Sequence, residues 1–393
     1  MASQPATRSL GRLSEIAQVM VRHGFGYFLE AHKLTDLLPG RPPSSPPDSS
    51  QRGRHLRELL DELGPTFVKF GQLLSTRPDV VPPDIIAELR GLQDDVRPFP
   101  FEQAERVIEE DLGNSIERLF LEFEREPVAA ASIGQVHKAV IPNGRTVAVK
   151  VQRPGAPRQI EADLGLLYQA AKLVKERVRA LDFIDARSLV DEFARQIRQE
   201  LDYRLEARNA QAFHRNFASD PKVQVPKVYW TYTRARVLTL EWLEGTQLAD
   251  VELLPLTVDE RRDLAYRITE TWMTMIFRHG FFHGDPHPAN ILVLEEAGAI
   301  GLVDFGAVGK LSDDDLTKVT RLFIDAAQEN VDALPKRLAD LGVRYPKERV
   351  RALDFIDARS LVDEFARQIR QELDYRLEAR NAQAFHRNFA SDP

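Results

Sequence analysis

The sequence contains no cysteine among its 393 residues. This absence excludes disulfide bonds, thiolate metal sites and cysteine nucleophiles, and it fits a protein of a reducing compartment. The chain also lacks any run approaching the ~20 apolar residues that cross a bilayer, and its first residues lack the basic and apolar pattern of a secretory signal. We therefore expect a cytoplasmic protein without a transmembrane helix.

An excess of basic residues is missing as well. The 53 Lys and Arg residues face 60 Asp and Glu residues, which gives a net charge of −7, so nucleic acid is not an expected partner. The stretch from Leu10 to Leu34 mixes apolar and basic side chains over a helical length. Such a segment can lie on a membrane surface, but a helix that packs on its own domain is the favoured interpretation.

The residue patterns that are present predict a mixed α and β protein. Helical spacing of apolar residues covers four stretches, which are His55 to Leu92, Phe101 to Leu112, Ile160 to Phe217 and Arg261 to His279. Val136 to Val151 predicts a hairpin with its turn at Pro142-Asn143-Gly144. Shorter β-type runs are Val237 to Trp242, Ile291 to Leu294 and Ile300 to Val303. The prolines and serines between Pro39 and Ser50 predict a linker.

Residues Lys347 to Pro393 repeat Lys175 to Pro221 without a substitution. Repeats that build solenoids diverge and come in threes or more. An unchanged pair therefore favours a recent duplication or a join in the assembly of the sequence. We assign no site role to the three acidic residues of the copy that duplicate a motif described below, Glu372, Asp374 and Glu378.

The segment from His283 to Asn290 carries the residues of a phosphoryl-transfer loop. Asp285 and Asn290 are separated by four residues, which is the spacing of the catalytic Asp and the Mg²⁺-binding Asn in protein kinases. Asp285 would orient or deprotonate an acceptor hydroxyl, and the amide oxygen of Asn290 would bind Mg²⁺. Asp304-Phe305-Gly306 follows behind an apolar pair, as expected for a second, carboxylate ligand of Mg²⁺.

Lys150 ends the second strand of the predicted hairpin, where protein kinases place the lysine that contacts the α- and β-phosphates. Its carboxylate partner would lie on a following helix, and spacing leaves Glu200, Asp202 and Glu206 open as candidates. Taken together and in this order, the loop, the Asp-Phe-Gly segment and the strand lysine predict a site for ATP or ADP with Mg²⁺.

Three further motifs make the sequence resemble the UbiB/AarF (ADCK-like) family of atypical kinases, accessory proteins of ubiquinone biosynthesis. An alanine-rich stretch stands where protein kinases have a glycine-rich loop, with Ala129, Ala130, Ala131, Ser132, Gly134 and Val136. The Lys-x-Gly-Gln motif is formed by Lys69, Gly71 and Gln72. The Glu-x-Asp motif is formed by Glu200 and Asp202.

The resemblance implies roles for these motifs. It pairs Lys150 with Glu206 and places Lys69 near Glu200 and Asp202, in a helical extension that covers the acceptor side of the site. The motif residues of this extension, Gly71 and Gln72 included, are therefore expected to regulate access.

The resemblance also implies a nucleotide subsite. The alanine-rich stretch would lie over the phosphates, with altered geometry because a Cβ keeps the backbone farther away. Glu241 and Leu243 match the hinge that meets adenine through backbone groups.

The implied fold is α+β: a bilobal protein-kinase-like fold with a small β-containing N-lobe, a mainly helical C-lobe and a helical N-terminal extension. The predicted segments are a helical segment at 1–38, a linker at 39–54, the helical extension at 55–125, an N-lobe with inserted helices at 126–245, a truncated C-lobe at 246–346 and the copy at 347–393.

The implied function is that of a Mg²⁺-dependent ATPase or kinase that supports ubiquinone or other isoprenoid-lipid metabolism. Its partners would be nucleotide, an isoprenoid lipid or quinone precursor and lipid-biosynthesis enzymes, and the resemblance allows peripheral contact with the inner face of a bacterial membrane. Two alternatives stay open: a small-molecule phosphotransferase similar to aminoglycoside or choline kinases, and a nucleotide-gated scaffold without catalysis. The Lys69 motif argues against the first, and the filled catalytic positions argue against the second.

Overall fold

The computed structural model describes residues 15–26, 30, 51–77, 80–92, 97–177, 185–295, 298–328, 330 and 333–342. The linker from Pro39 to Ser50 and the copy from Lys347 to Pro393 lie outside these residues. The chain forms two compact units. The first comprises the residues up to Leu254 together with Pro288–Gly306, and the second comprises Pro255–His287 and the residues from Ala307 onward.

The first unit begins with helices. Residues 15–22 are helical, and Ala17 and Val19 are buried there. His23 bonds Glu62 of the next helix at 2.7 Å. The described part of this segment thus packs on its own unit, as the favoured interpretation expected.

Three helices follow, α1 (Arg52–Leu63), α2 (Pro65–Ser75) and α3 (Pro83–Leu89). The stretch from His55 to Leu92, predicted to be helical, is divided at Gly64 as well as near its prolines. Gly64 separates α1 from α2 with a φ of 98°, a left-handed conformation that residues with a Cβ rarely adopt.

A five-stranded sheet forms the next layer of this unit. Two helices precede the sheet, α4 (Phe101–Leu112) and α5 (Ile116–Leu119). Its strands are β1 (Glu122–Phe123), β2 (Ala129–Ala130), β3 (Gly134–Val140), β4 (Thr146–Gln152) and β6 (Val237–Glu241). The strands run in the order β1-β3-β4-β6, and β2 pairs with β3. The predicted helix at α4 and the predicted hairpin are confirmed. One face of the hairpin packs on α4 in an apolar core that includes Val147, Val149, Ile108 and Phe120.

Three helices come from the stretch predicted to be helical after the hairpin, α6 (Ala156–Arg177), α7 (Ala186–Glu200) and α8 (Tyr203–Asn216). Aspartates start the last two: Asp185 accepts from the Ser188 amide, and Asp202 accepts from the Arg204 amide, each at 3.1 Å. Such caps satisfy amides that a helix start leaves open. The Asp202 cap fixes where the chain turns between α7 and α8.

A second sheet completes the first unit. Its strands are β5 (Val223–Gln224), β7 (Gly245–Gln247), β9 (Ile291–Leu294) and β10 (Ile300–Leu302), in the order β5-β10-β9-β7. Short 3₁₀ turns occupy Trp230–Tyr232, Leu248–Leu253 and Pro288–Asn290. The antiparallel pair β9–β10 joins Ile291 to Leu302, which places Asn290 and Val303 at one end of the ladder.

The second unit is mainly helical. Its elements are α9 (Val258–Met273), a π-helical turn (Thr274–His279), β8 (Phe281–His283), β11 (Val308–Lys310), α10 (Asp313–Ala327) and α11 (Leu334–Asp340). A capping box between Thr257 and Glu260 starts α9. These two units confirm the α+β prediction. In the part of the chain described here, no helix has the length and apolar character needed to span a membrane.

Candidate functional site

Lys150 lies at the centre of a partly buried charge cluster in the first unit. Its Nζ donates to both carboxylate oxygens of Glu206, at 2.9 and 3.0 Å, and lies 3.5 Å from Oδ1 of Asp304. Of the three acids that spacing left open, Glu206 is thus the one that pairs with Lys150. β4 supplies the lysine, α8 supplies the glutamate, and the segment after β10 supplies the aspartate.

Burial sets the protonation behaviour of this cluster. It raises the pKa of Glu206 to about 7, although Lys150 favours the carboxylate. Burial of Lys150 disfavours its charged form, but Asp304 and Glu206 outweigh that effect and raise the pKa of Lys150 well above its ordinary value. Lys150 therefore stays an ammonium group suited to contact phosphate.

Asp304 has an unusual backbone. Its φ is 58°, in the left-handed region that costs about 1–2 kcal/mol for residues with a Cβ. Strain of this kind is concentrated at functional sites. The conformation lets Oδ1 accept from the Gly306 amide at 3.2 Å, and the half-exposed carboxylate keeps one edge beside Lys150.

Asn290 is brought close to this segment by β9 and β10. The Val303 amide donates to the Asn290 carbonyl at 3.0 Å, so the two predicted Mg²⁺ ligands, Asn290 and Asp304, leave the same end of one ladder. No group of three or more His, Cys, Asp or Glu residues able to hold a metal lies among the described residues. One carboxylate and one amide oxygen form a donor set that suits Mg²⁺ arriving with nucleotide phosphates.

Asp285 belongs to the second unit, because the division falls between His287 and Pro288. There its amide donates to Nδ1 of the buried His283 at 3.2 Å. The Gly284 amide donates to the Ala307 carbonyl at 2.9 Å. These bonds hold the loop against the start of β11.

The Lys-x-Gly-Gln motif connects α2 to its neighbours in the first unit. Lys69 pairs with Glu200 at 2.9 Å. A Cβ on Gly71 would overlap the side chains of Leu60 and Leu92, and Gln72 donates to the Leu92 carbonyl at 3.3 Å. The glycine therefore permits close helix packing, and the lysine reaches the end of α7.

The Glu-x-Asp motif divides its two acids between different tasks. Glu200 receives Lys69, whereas Asp202 caps α8 and accepts from the Arg204 guanidinium at 2.8 Å. Lys69, which the resemblance places near this motif, thus contacts Glu200 directly.

The alanine-rich stretch folds back on itself as a tight hairpin. Ala129 pairs with Val136 and Ala130 with Gln135, and the Ala131 amide donates to the Gly134 carbonyl at 2.8 Å. Ser132 lies at the turn, 2% exposed, and its hydroxyl has no hydrogen-bond partner among the described residues. A buried hydroxyl of this kind suits a ligand that supplies polar atoms.

The predicted hinge follows β6. The Glu241 amide donates to the Lys227 carbonyl at 2.8 Å, and the Trp242 amide donates to the Thr146 carbonyl at 3.3 Å. The Leu243 side chain packs over Gly301, with its Cδ1 3.1 Å from the place of a Cβ there. The segment thus leaves the five-stranded sheet at Glu241, and its Leu243 side chain contacts β10 of the second sheet.

Two residues near the cluster were missed by the sequence interpretation. The ring of Tyr203 lies 5.4 Å from the Lys150 ammonium, and Asn209 donates to the Phe305 carbonyl at 3.0 Å. Asn209 lies three residues after Glu206 and so shares its face of α8. That spacing could have identified it.

Nucleotide and Mg²⁺ fit the residues of the first unit. Lys150 is a partly buried cation with a half-exposed carboxylate beside it, and Asn290 lies at the same ladder end as that carboxylate. The Ser132 hydroxyl is buried without a partner among the described residues. Lys150 would hold phosphate oxygens, and Asp304 and Asn290 would hold the metal.

Comparison with known proteins shows which family the sequence resembles. The sequence matches the ABC1 atypical kinase-like domain over residues 91–339 and again over residues 337–393. It is 41% identical over 322 residues to a probable protein kinase UbiB of Marinobacter nauticus, which covers 79% of this chain and 58% of that protein. It is 40% identical over 292 residues to the uncharacterized protein sll1770 of Synechocystis, with 74% and 50% covered.

The chain spans about half the length of these curated relatives. Among solved structures it is similar to Rv3197 of Mycobacterium tuberculosis, determined in complex with erythromycin. The TM-score is 0.54 and the identity 31%, with 77% of this chain and 78% of that chain covered. The likeness supports a shared fold for the part of the chain that it covers.

Proposed function

The chain belongs to the ABC1 atypical kinase-like family as a UbiB-type protein, and we propose that it binds ATP or ADP with Mg²⁺ and catalyses phosphoryl transfer or hydrolysis. The observation that carries this proposal is the contact of Lys150 with both Glu206 and Asp304. That arrangement is the lysine–glutamate pair and metal-binding aspartate that kinase-type phosphoryl transfer requires.

Each residue has a task in this proposal. Glu206 orients Lys150, and Lys150 neutralises phosphate oxygens. Asp304 and Asn290 would hold the metal, which would supply positive charge for the transferred group. Asp285 accepts a proton from the acceptor hydroxyl or water. The alanine-rich stretch and the hinge residues Glu241 and Leu243 enclose the nucleotide.

The acceptor is proposed to be water, a small molecule or a lipid. Lys69 of the N-terminal extension is held to Glu200, and in the family this extension occupies the region where protein kinases bind a peptide. A site covered in this way favours an acceptor smaller than a protein. The assignment of sites and segment boundaries along the chain remains a prediction.

The biological setting follows from the relatives. Several curated relatives carry the name UbiB, which is consistent with an association with ubiquinone biosynthesis. We propose that an isoprenoid lipid or quinone precursor and lipid-biosynthesis enzymes are the partners. Contact with the inner face of a bacterial membrane would be peripheral for the described residues.

A turnover assay tests the proposal. Purified protein is expected to release phosphate from ATP, or to phosphorylate a lipid or quinone precursor, only when Mg²⁺ is present. Asp285→Asn is expected to lower turnover about 100-fold or more, in line with loss of a general base, while nucleotide affinity changes little. Asp314→Asn, on the exposed start of α10, is the matched control and should leave turnover unchanged.

Two outcomes would redirect the assignment. Normal Mg²⁺-nucleotide affinity without turnover, even with membranes and quinone precursors, would favour a nucleotide-gated scaffold. Turnover retained in Asp285→Asn would remove Asp285 from the proposed mechanism.

A further inference from the structure

Tyr203 carries a buried hydroxyl without a hydrogen-bond partner among the residues that the structure describes. The whole residue is 1% exposed. A buried polar atom left unpaired destabilises the folded state, and most such atoms in native proteins are paired. A phenylalanine would avoid this cost, so the hydroxyl needs a reason to be present.

The hydroxyl lies on the face of the β3–β4 hairpin that carries Lys150. A Cβ on Gly134 would overlap it, and Gly134 pairs with Gln152 while Val136 pairs with Lys150. Residues two apart in a strand, and residues opposite each other in a pair, share a face of the sheet. The Tyr203 hydroxyl therefore lies directly beneath the start of β3, on the side where the lysine points.

The position of Tyr203 is fixed from several directions. It is the first residue of α8, behind the Asp202 cap, and its amide donates to the Ala235 carbonyl at 3.0 Å. Its ring lies 5.4 Å from the Lys150 ammonium. Burial raises the pKa of the Tyr203 phenol, so the group remains a hydrogen-bond donor at neutral pH.

The surroundings define the chemistry of the missing acceptor. A phenol donor beside an ammonium group favours an anionic oxygen. Ser132, two residues before Gly134, adds a second buried hydroxyl that lacks a partner within the described chain. Three protein anions act on the Tyr203 phenol: Glu206, Asp304 and Glu200. The first two already contact Lys150, and Glu200 pairs with Lys69. The remaining anionic oxygens suited to this place are those of a polyphosphate.

We propose that Tyr203 is a phosphate-binding residue of the nucleotide site, and that its hydroxyl donates a hydrogen bond to a phosphate oxygen of the bound nucleotide beside Lys150. This assignment rests on the proposed function. In this assignment the tyrosine between the Glu-x-Asp motif and Glu206 contacts the ligand directly. A Cβ at Gly134 would overlap the hydroxyl that binds the phosphate.

The test compares two tyrosines that differ in location but share the same chemistry. Tyr229 also has a buried hydroxyl without a partner in the described part of the chain, but it packs on the apolar core that contains Val149. Tyr203→Phe removes a phenol oxygen from the Lys150 face of the hairpin, and Tyr229→Phe removes the equivalent oxygen beside the apolar core. Calorimetric titration with Mg-ADP and with adenosine separates phosphate contacts from base contacts.

Tyr203→Phe is expected to weaken Mg-ADP binding about tenfold, as loss of a hydrogen bond to a charged group predicts, and to leave adenosine binding unchanged. Its melting temperature without nucleotide should equal or exceed that of the wild type, because an unpaired buried hydroxyl has been removed. Tyr229→Phe should leave both affinities unchanged.

Three results would overturn the assignment while leaving nucleotide binding itself intact. They are unchanged Mg-ADP affinity in Tyr203→Phe, tighter Mg-ADP binding, which would make the hydroxyl an obstacle, and equal losses for Mg-ADP and adenosine. A wild-type protein that binds no Mg-ADP would overturn the proposed function first and this assignment with it.

Discussion

On one face of the β3–β4 hairpin, Val147, Val149 and Val151 are fully buried against α4. On the other face, Lys150 and Gln152 alternate with those valines along the same strand and contact Glu206 and the Leu201 carbonyl. The alternation of side chains in a strand separates the two environments. Apolar packing is thus concentrated on one face, and charged and polar side chains are concentrated on the other.

The difference between the two faces predicts which substitutions affect folding and which affect binding. Burial of apolar surface is the dominant favourable contribution to folding. A buried ion pair contributes little net stability, since desolvation offsets its attraction, but loss of one partner is costly. The apolar face should therefore tolerate few truncations, whereas changes on the charged face should depend on whether both partners change.

The largest expected effect is on the apolar face. Phe120 is 3% exposed and its ring lies 5.2 Å from Phe123 and 5.7 Å from Tyr232. Phe120→Ala should lower the free energy of unfolding by about 3–5 kcal/mol, measured by urea denaturation. Its exposed neighbour is the control: Leu121→Ala should change it by less than about 0.5 kcal/mol. A loss below about 1 kcal/mol for Phe120→Ala would contradict the claim that packing on the apolar face dominates the stability of this unit.

On the charged face, removal of one partner should cost less. Glu206→Ala is expected to lower the free energy of unfolding by about 3 kcal/mol, the lower end for a broken buried pair, because Asp304 still lies near Lys150. The double variant Lys150→Met with Glu206→Leu should be about as stable as the wild type. A double variant as unstable as the single one would show that this face contributes directly to folding.

Stability should depend on pH through Glu206. Burial raises its pKa from 4.5 to about 7, so the folded protein binds this proton more tightly than the unfolded chain. The contribution is present below pH 4.5 and is lost as the pH rises to about 7. The wild type minus Glu206→Gln difference in unfolding free energy should fall across that window, by at most about 1.4 kcal/mol per pH unit. A difference that is flat or rises with pH would contradict this.

The smallest effect concerns two ion pairs of α7. Lys69–Glu200 has side chains 18% and 20% exposed, whereas Arg198–Glu161 is about half exposed. Double-mutant cycles should give coupling free energies of about 1 kcal/mol for the first and about 0.3 kcal/mol for the second. Salt should weaken the second more. Equal coupling free energies would mean that the Lys69–Glu200 pair holds the N-terminal extension no more strongly than an exposed ion pair would.

The sequence allowed the hairpin, α4 and the position of Lys150 to be predicted, because alternation and turn chemistry are local signals. Spacing could not choose among the three candidate acids for Lys150, Glu200, Asp202 and Glu206, since that choice depends on where Asp202 starts α8. Resemblance to a family supplied Glu206 instead.

Other features depend on contacts between distant segments. The break at Gly64, the left-handed backbone of Asp304 and the fit of Tyr203 beneath Gly134 leave no periodic trace in the sequence. Gly134 could be recognised as a loop glycine, but the partner that excludes its Cβ could not. Packing of this kind is visible only once the hairpin and α8 are placed together.

The central claim is that the Lys150 face binds a nucleotide with Mg²⁺, and calorimetric titration with ADP tests it most directly. The wild type should bind ADP more tightly with Mg²⁺ than without it. Lys150→Met and Asp304→Asn should each weaken binding roughly 10- to 100-fold, while Lys172→Met, at an exposed position of α6, should not. ADP binding that is independent of Mg²⁺ and unchanged in both site variants would contradict the claim.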